Sequence, residues 1–117
     1  MNDRGAVRLT GVGERAVPFA NAEQAWFWAM EAISARRENA SRVTGSVTPR
    51  PCTPDDVVMT LDRLYRQGRM DVLHAHTLHL WGERGAAPGT REAEDRRLWR
   101  EALDRLEPVL RSKGIVA

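Results

Sequence analysis

Apolar residues recur along this chain with helical spacing, in four separate stretches. In the first, Ala22, Ala25, Trp26, Ala29, Met30 and Ile33 share one face at about 100° per residue. Asn21 stands where an N-cap belongs and Gln24 completes the capping-box spacing, so the pattern predicts a helix over residues 22–37. Phe27 and Trp28 fall off the common face, on different sides. A helix that is apolar on more than one side is either central in a bundle or shared with another chain. Trp26, Phe27 and Trp28 are therefore candidate protein-interface residues, with a homodimer as one form of partner.

The second stretch has the clearest start. Thr53 caps, Pro54 takes the first helical position, and Asp55 and Asp56 meet the positive end of the helix dipole. Val57, Val58, Leu61, Leu64 and Tyr65 form the predicted buried stripe of a helix over 54–67, which Gly68 stops. Asp62 and Arg66 are an i,i+4 pair on its outside. A third helix, 72–81, starts after Asp71 and ends at Gly82. Leu73, Thr77, Leu78, Leu80 and Trp81 point inward with His74 leaning toward them, while Val72, Ala75, His76 and His79 face outward. A fourth, 91–113, carries Leu98, Trp99, Ala102, Leu103, Leu106, Val109 and Leu110 on an apolar arc of about 140°. Pro108 falls on its solvent side, and Gly114 caps it so that Ile115 folds back on Leu110. Glu92/Arg96, Glu101/Arg105 and Glu107/Arg111 are i,i+4 pairs in the favourable order.

These elements predict an all-α fold, a small bundle of about four helices. Residues 1–20 lack a helical period and read as an extended N-terminal arm, leaving 21–117 as one helical domain. Residues 39–53, with spaced Pro, Ser and Thr, read as a linker.

Composition narrows the picture. The 117 residues suit one domain, and the net charge of +2 is a small excess within a mixed charged fraction of 29%. Residues 1–52 carry seven arginines and five acids, 53–89 four and five, and 90–117 seven bases and six acids. No block is basic enough to demand nucleic acid. Seventeen of the eighteen basic residues are Arg, which suits phosphate recognition and is also what a biased base composition produces. The lone Cys52 sits between prolines with no catalytic partner, and one cysteine allows no internal disulfide. With neither a signal-peptide pattern nor a membrane-length apolar run, the expected location is the cytoplasm.

Candidate chemistry is sparse. His74, His76 and His79 in "HAHTLH" invite a metal, but His74 points away from the other two and no Cys pair or HExxH spacing completes a site. Phosphate loops and nucleophile elbows are absent, and the acids cap helices or pair with Arg. The sequence therefore predicts no enzyme, no metal, no cofactor, no membrane partner and no small-molecule substrate. The second and third helices with their Gly-containing turn satisfy the outline of a helix-turn-helix. Arg63, Arg66, Arg69 and Arg84 lie where phosphate contacts would fall, with His76 and His79 on the outward face of the third helix. That face lacks the Arg, Lys, Asn or Gln that reads bases bidentately. Two readings stay open. One is a regulatory protein that contacts duplex DNA through this unit, in transcriptional control. The other is an interaction or dimerisation module using the Trp-rich first helix.

The segments "LDRLYRQGRM", "HLWG" and "LWREALDRLEPVLRSKGIV" resemble small helical proteins of proteobacteria associated with phage-type or cell-cycle regulatory genes. The resemblance spans about residues 19–117 and rests mostly on core and cap positions. It implies a helical regulatory protein and identifies no active residue. Where such proteins carry more basic residues in the third helix, this chain has histidines.

Overall fold

A computed structural model describes residues 15–38 and 48–117; the predicted arm up to residue 14 and the linker over 39–47 lie outside the described residues. The described residues form a bundle of four helices, α1 (Ala22–Arg37), α2 (Pro54–Arg66), α3 (Val72–Arg84) and α4 (Ala93–Ser112). Among the described residues, no helix is long and apolar enough to cross a membrane.

Local chemistry sets the helix starts. Asn21 Oδ1 accepts the Gln24 amide at 2.9 Å, and Gln24 Oε1 reaches back to accept the amide of Ala20 at 3.1 Å. Thr53 and Asp56 form a full capping box, each side chain accepting the other's backbone N–H, which satisfies two otherwise orphaned groups. The last turns close in one recurring way, seen after α2 and α4. Arg69 N donates to Leu64 O after α2, and Ile115 N donates to Leu110 O after α4, with Gly68 and Gly114 left-handed between. Ile115 is buried on Leu110, as the cap predicts, and Pro108 is exposed.

α1 is central and packs on all three other helices. Ala22, Ala25, Trp26 and Ala29 are fully buried, and the small residues let neighbouring helices come close.

The structure corrects the sequence reading at several points. α3 does not stop at Gly82: it continues to Arg84 and ends at Gly85, whose φ is 74°. Gly82 is buried inside the helix, facing Trp26 and Met30 of α1. On α3, Leu73 is exposed and His74 buried, so the inward face is turned toward His74, Leu78, Trp81 and Gly82. On α2, Tyr65 leaves the predicted stripe and Thr60 joins it, its hydroxyl donating to Asp56 O at 2.8 Å. Phe19 is not part of a free arm. It is 2% exposed and makes a parallel bridge with Val116, its amide donating to Ile115 O and its carbonyl accepting from Ala117 N. Arg50 stacks over the Phe19 ring at 4.1 Å and donates to Val17 O, which ties the end of the linker to the same edge.

The predicted ion pairs are also redistributed. Asp62–Arg66 and Glu107–Arg111 form. Glu92 instead accepts the Gly89 amide, Glu101 pairs with His74 and Arg97, and Arg105 reaches His74. Glu107 has a second duty, because its Oε1 accepts the Ala22 amide at 2.9 Å and so caps α1 from α4. That bond, first, and the Arg111 guanidinium hold its carboxyl below the ordinary value of 4.5. A carboxyl lowered by folding stabilises the fold above its ordinary value, and that contribution is lost as pH falls through the folded value. Glu107→Gln is therefore expected to lower stability at neutral pH and to leave a shallower acid-side decline, measured by urea unfolding across a pH series.

Candidate functional site

The α2–α3 corner is built by its turn. Gly68 reverses the chain, and Met70, 2% exposed, pins the turn to the core. Asp71 precedes α3 at the N-cap position, but its carboxylate makes no cap bond and stands 3.7 Å from His74 Nδ1. α2 and α3 touch each other less than any other pair of helices, since each packs mainly on α1 and α4. A groove of about 390 Å³ is left between them. Met59, Asp62 and Tyr65 line its α2 wall, and Val72, Ala75, His76 and His79 its α3 wall.

This groove is apolar at the surface. The large apolar side chains most exposed among the described residues are Val17 (45%), Met59 (55%), Tyr65 (45%), Val72 (61%) and Leu73 (58%). Three of these five, Met59, Tyr65 and Val72, line the groove. Scattered exposed apolar residues are ordinary, whereas a contiguous group marks a surface that works in contact with something else.

The predicted phosphate-contacting arginines divide into two kinds. Arg63 and Arg69 are exposed, and neither makes an ion pair among the described residues. Arg66 is paired with Asp62, and Arg84 lies over the Trp81 ring at 4.6 Å. His76 is exposed on the groove wall. His79 meets the Trp26 ring edge-on, with centroids 5.4 Å apart. Its partial burial lowers its pKa below the ordinary 6.5, against the opposing pull of Glu83. His79 thus keeps its neutral form to lower pH than a solvated imidazole.

His74 belongs to the interior. Its Nε2 lies 2.9 Å from Glu101 Oε1 and its Nδ1 lies 3.2 Å from Arg105 Nη1. A guanidinium only donates, so Nδ1 accepts and the Nε2–H donates to Glu101. Hydrogen bonds from His74 and then Arg97 hold the Glu101 carboxyl below its ordinary value. This polar cluster ties α3 to α4 and leaves His74 apart from the other two histidines. Among the described residues, no three His, Cys, Asp or Glu side chains converge as a metal site. Burial pushes the Cys52 thiol up, away from a reactive thiolate.

The aromatic residues of α1 are spent inside the chain. Trp26 is fully buried and its indole N–H donates to Leu78 O at 2.7 Å, which removes it from any surface. Phe27 and Trp28 are half-buried, with rings 5.4 Å from Trp99 and 5.0 Å from Phe19. At the groove, Tyr65, which sequence reasoning assigned to the core, joins Met59 and the outward-facing Val72 in an exposed apolar face, while Leu73, also assigned to the core, is exposed outside the groove lining. A signal for it was present: the outward side of the third helix carries Val72 and Ala75 beside two histidines and none of the bidentate donors a DNA reader needs.

No protein-family model, curated protein or solved structure matches the chain.

Proposed function

We propose that this chain is a small helical interaction module whose docking surface is the α2–α3 groove. The observation that carries this reading is that Met59, Tyr65 and Val72, all exposed apolar or aromatic side chains, line this one groove. Protein–protein contacts draw on apolar and aromatic side chains of this kind at their centre. The Trp-rich helix serves as the scaffold beneath the groove rather than as the surface. To test it, a photoreactive phenylalanine analogue is placed at Val72, which lines the groove and is exposed, with Arg100 as the control site, and irradiated in the native cell. A protein adduct specific to Val72 is the expected result. Absence of any adduct there would overturn the reading.

A second reading keeps the helix-turn-helix outline and duplex DNA, with a role in transcriptional control. Arg63 and Arg69 favour it, because both are exposed near the turn without an acidic partner among the described residues. Contacts from these two would supply affinity without base choice. Under this reading Arg63→Ala and Arg69→Ala each lower the slope of log K against log salt by about one, equally for all sequences. Arg66→Ala and Arg84→Ala change it less, since those side chains are already engaged. Fluorescence titration with duplex DNA at low salt measures this. A slope unchanged by the Arg63 and Arg69 substitutions would remove the DNA reading.

A further inference from the structure

We propose that His74 is a proton-operated clamp: on taking up a second proton its ring exchanges Arg105 for Asp71 and ties the α2–α3 turn to α4. This goes beyond the docking reading and does not depend on it.

The ring is held in a state that one proton undoes. His74 is 3% exposed, with Nε2 2.9 Å from Glu101 Oε1 and Nδ1 3.2 Å from Arg105 Nη1. The Nε2–H donates to Glu101, and the bare Nδ1 accepts from the guanidinium. A proton from solvent on Nδ1 turns that acceptor into a donor. Two positively charged donors then face each other, and the Arg105 bond is lost. A buried charge needs a partner, so the new N–H must find an acceptor close by.

Such an acceptor is already in place. Asp71 Oδ2 stands 3.7 Å from Nδ1, and this carboxylate makes no cap bond to α3. Its side chain is 74% exposed, so it can turn onto the ring without giving up a cap. Arg105 is itself exposed and passes readily to solvent. The charged groups in contact with the ring come from two elements. Glu101 and Arg105 stand on α4, with Arg97 bonded behind Glu101, and Asp71 ends the turn. The neutral ring joins α3 to α4 alone. The charged ring stands between two carboxylates, and the turn is then held to α4 through Asp71, His74 and Glu101. Asp71 directly precedes Val72 of the groove wall, so the clamp acts at the end of the groove beside the turn.

Ring-nitrogen NMR spectra of the isotope-labelled full chain, recorded from about pH 8 to about pH 5, test this, because imidazoles change charge in that range. Circular dichroism follows helicity over the same series. At the alkaline end His74 should carry its hydrogen on Nε2, and on acidification it should gain a second on Nδ1 with helicity unchanged. Asp71→Asn keeps the size of the side chain and removes its charge. It should move the midpoint of that change to lower pH by about one pH unit or more. Arg105→Met removes the competing donor and should move the midpoint the other way. A ring that stays neutral down to about pH 5 overturns the proposal. So does a midpoint indifferent to Asp71→Asn, or a second proton gained only as helicity is lost. A cluster that merely braces α3 against α4 gives one of these three results.

Discussion

Gly82→Ala is expected to destabilise the fold by about 2 kcal/mol, seen as a lower urea midpoint with an unchanged slope. A Cβ at this position would stand 2.6 Å from Trp26 Nε1 and 2.8 Å from Met30 Cγ. Neither neighbour can move aside cheaply. Trp26 is fully buried and tethered by its bond to Leu78 O, and Met30 is 4% exposed. Alanine's better helix propensity returns about 1 kcal/mol, and overpacking of a close-packed interior costs about 1–3 kcal/mol or more. Two contacts below 3.0 Å place this site at the costly end. The comparison with Gly85→Ala is informative, because that site has open space around it and its cost comes only from a φ of 74°. If Gly82→Ala proved neutral, α1 and α3 would be free to separate, and the interior would be looser than its geometry shows.

The second large effect is at the other side of that contact. Trp26→Ala is expected to cost about 3–5 kcal/mol, a large share of the 5–15 kcal/mol that typically holds a domain together. The indole is fully buried among α1, α3 and the core, with His79 edge-on to it. Removing it leaves a cavity between two helices whose small residues cannot fill it. Trp26 and Gly82 should also be coupled. In a Trp26→Ala background the added Cβ of Gly82→Ala loses its clash with the indole and Met30 gains room to shift, so the combined cost should be less than the sum of the separate ones, by roughly 0.5–3 kcal/mol. Urea unfolding of both single variants and the double variant measures this. An unchanged stability with a changed oligomeric state would instead make Trp26 an interface residue, against its burial.

Much of the architecture was legible because its causes are local. The caps at Asn21 and Thr53, the stop at Gly68 and the return of Ile115 onto Leu110 each depend on side chains within a few positions of one another. The apolar arc of α4 was equally plain, since one long face packs on one side. Four helices and their approximate bounds followed from these signals alone. The candidate surface was only half legible. Val72, Ala75, His76 and His79 were recognisable as the outward side of α3, and a face with no bidentate donor on it is poorly suited to reading bases.

Tertiary structure decided the rest, for reasons of packing that no window of sequence contains. "LWGERG" offers two glycines that could end α3. Only the approach of Trp26 and Met30 shows that Gly82 is needed for contact, which leaves Gly85 to make the turn. That contact, together with Glu101 and Arg105 receiving His74, sets the rotation of α3 and so drives His74 in and Leu73 out. Periodicity identifies an apolar face to within a residue or so on either side, and here that margin separates core from surface. Arg105 and Glu101 were paired with each other by spacing, yet a buried imidazole from another helix drew both away. Phe19 falls outside the predicted domain because its partners, Ile115, Val116 and Ala117, are at the opposite end of the chain. The exposed groove arises in the same way: α2 and α3 each satisfy their buried stripes against α1 and α4, and the residual apolar residues of both are left facing each other across open space.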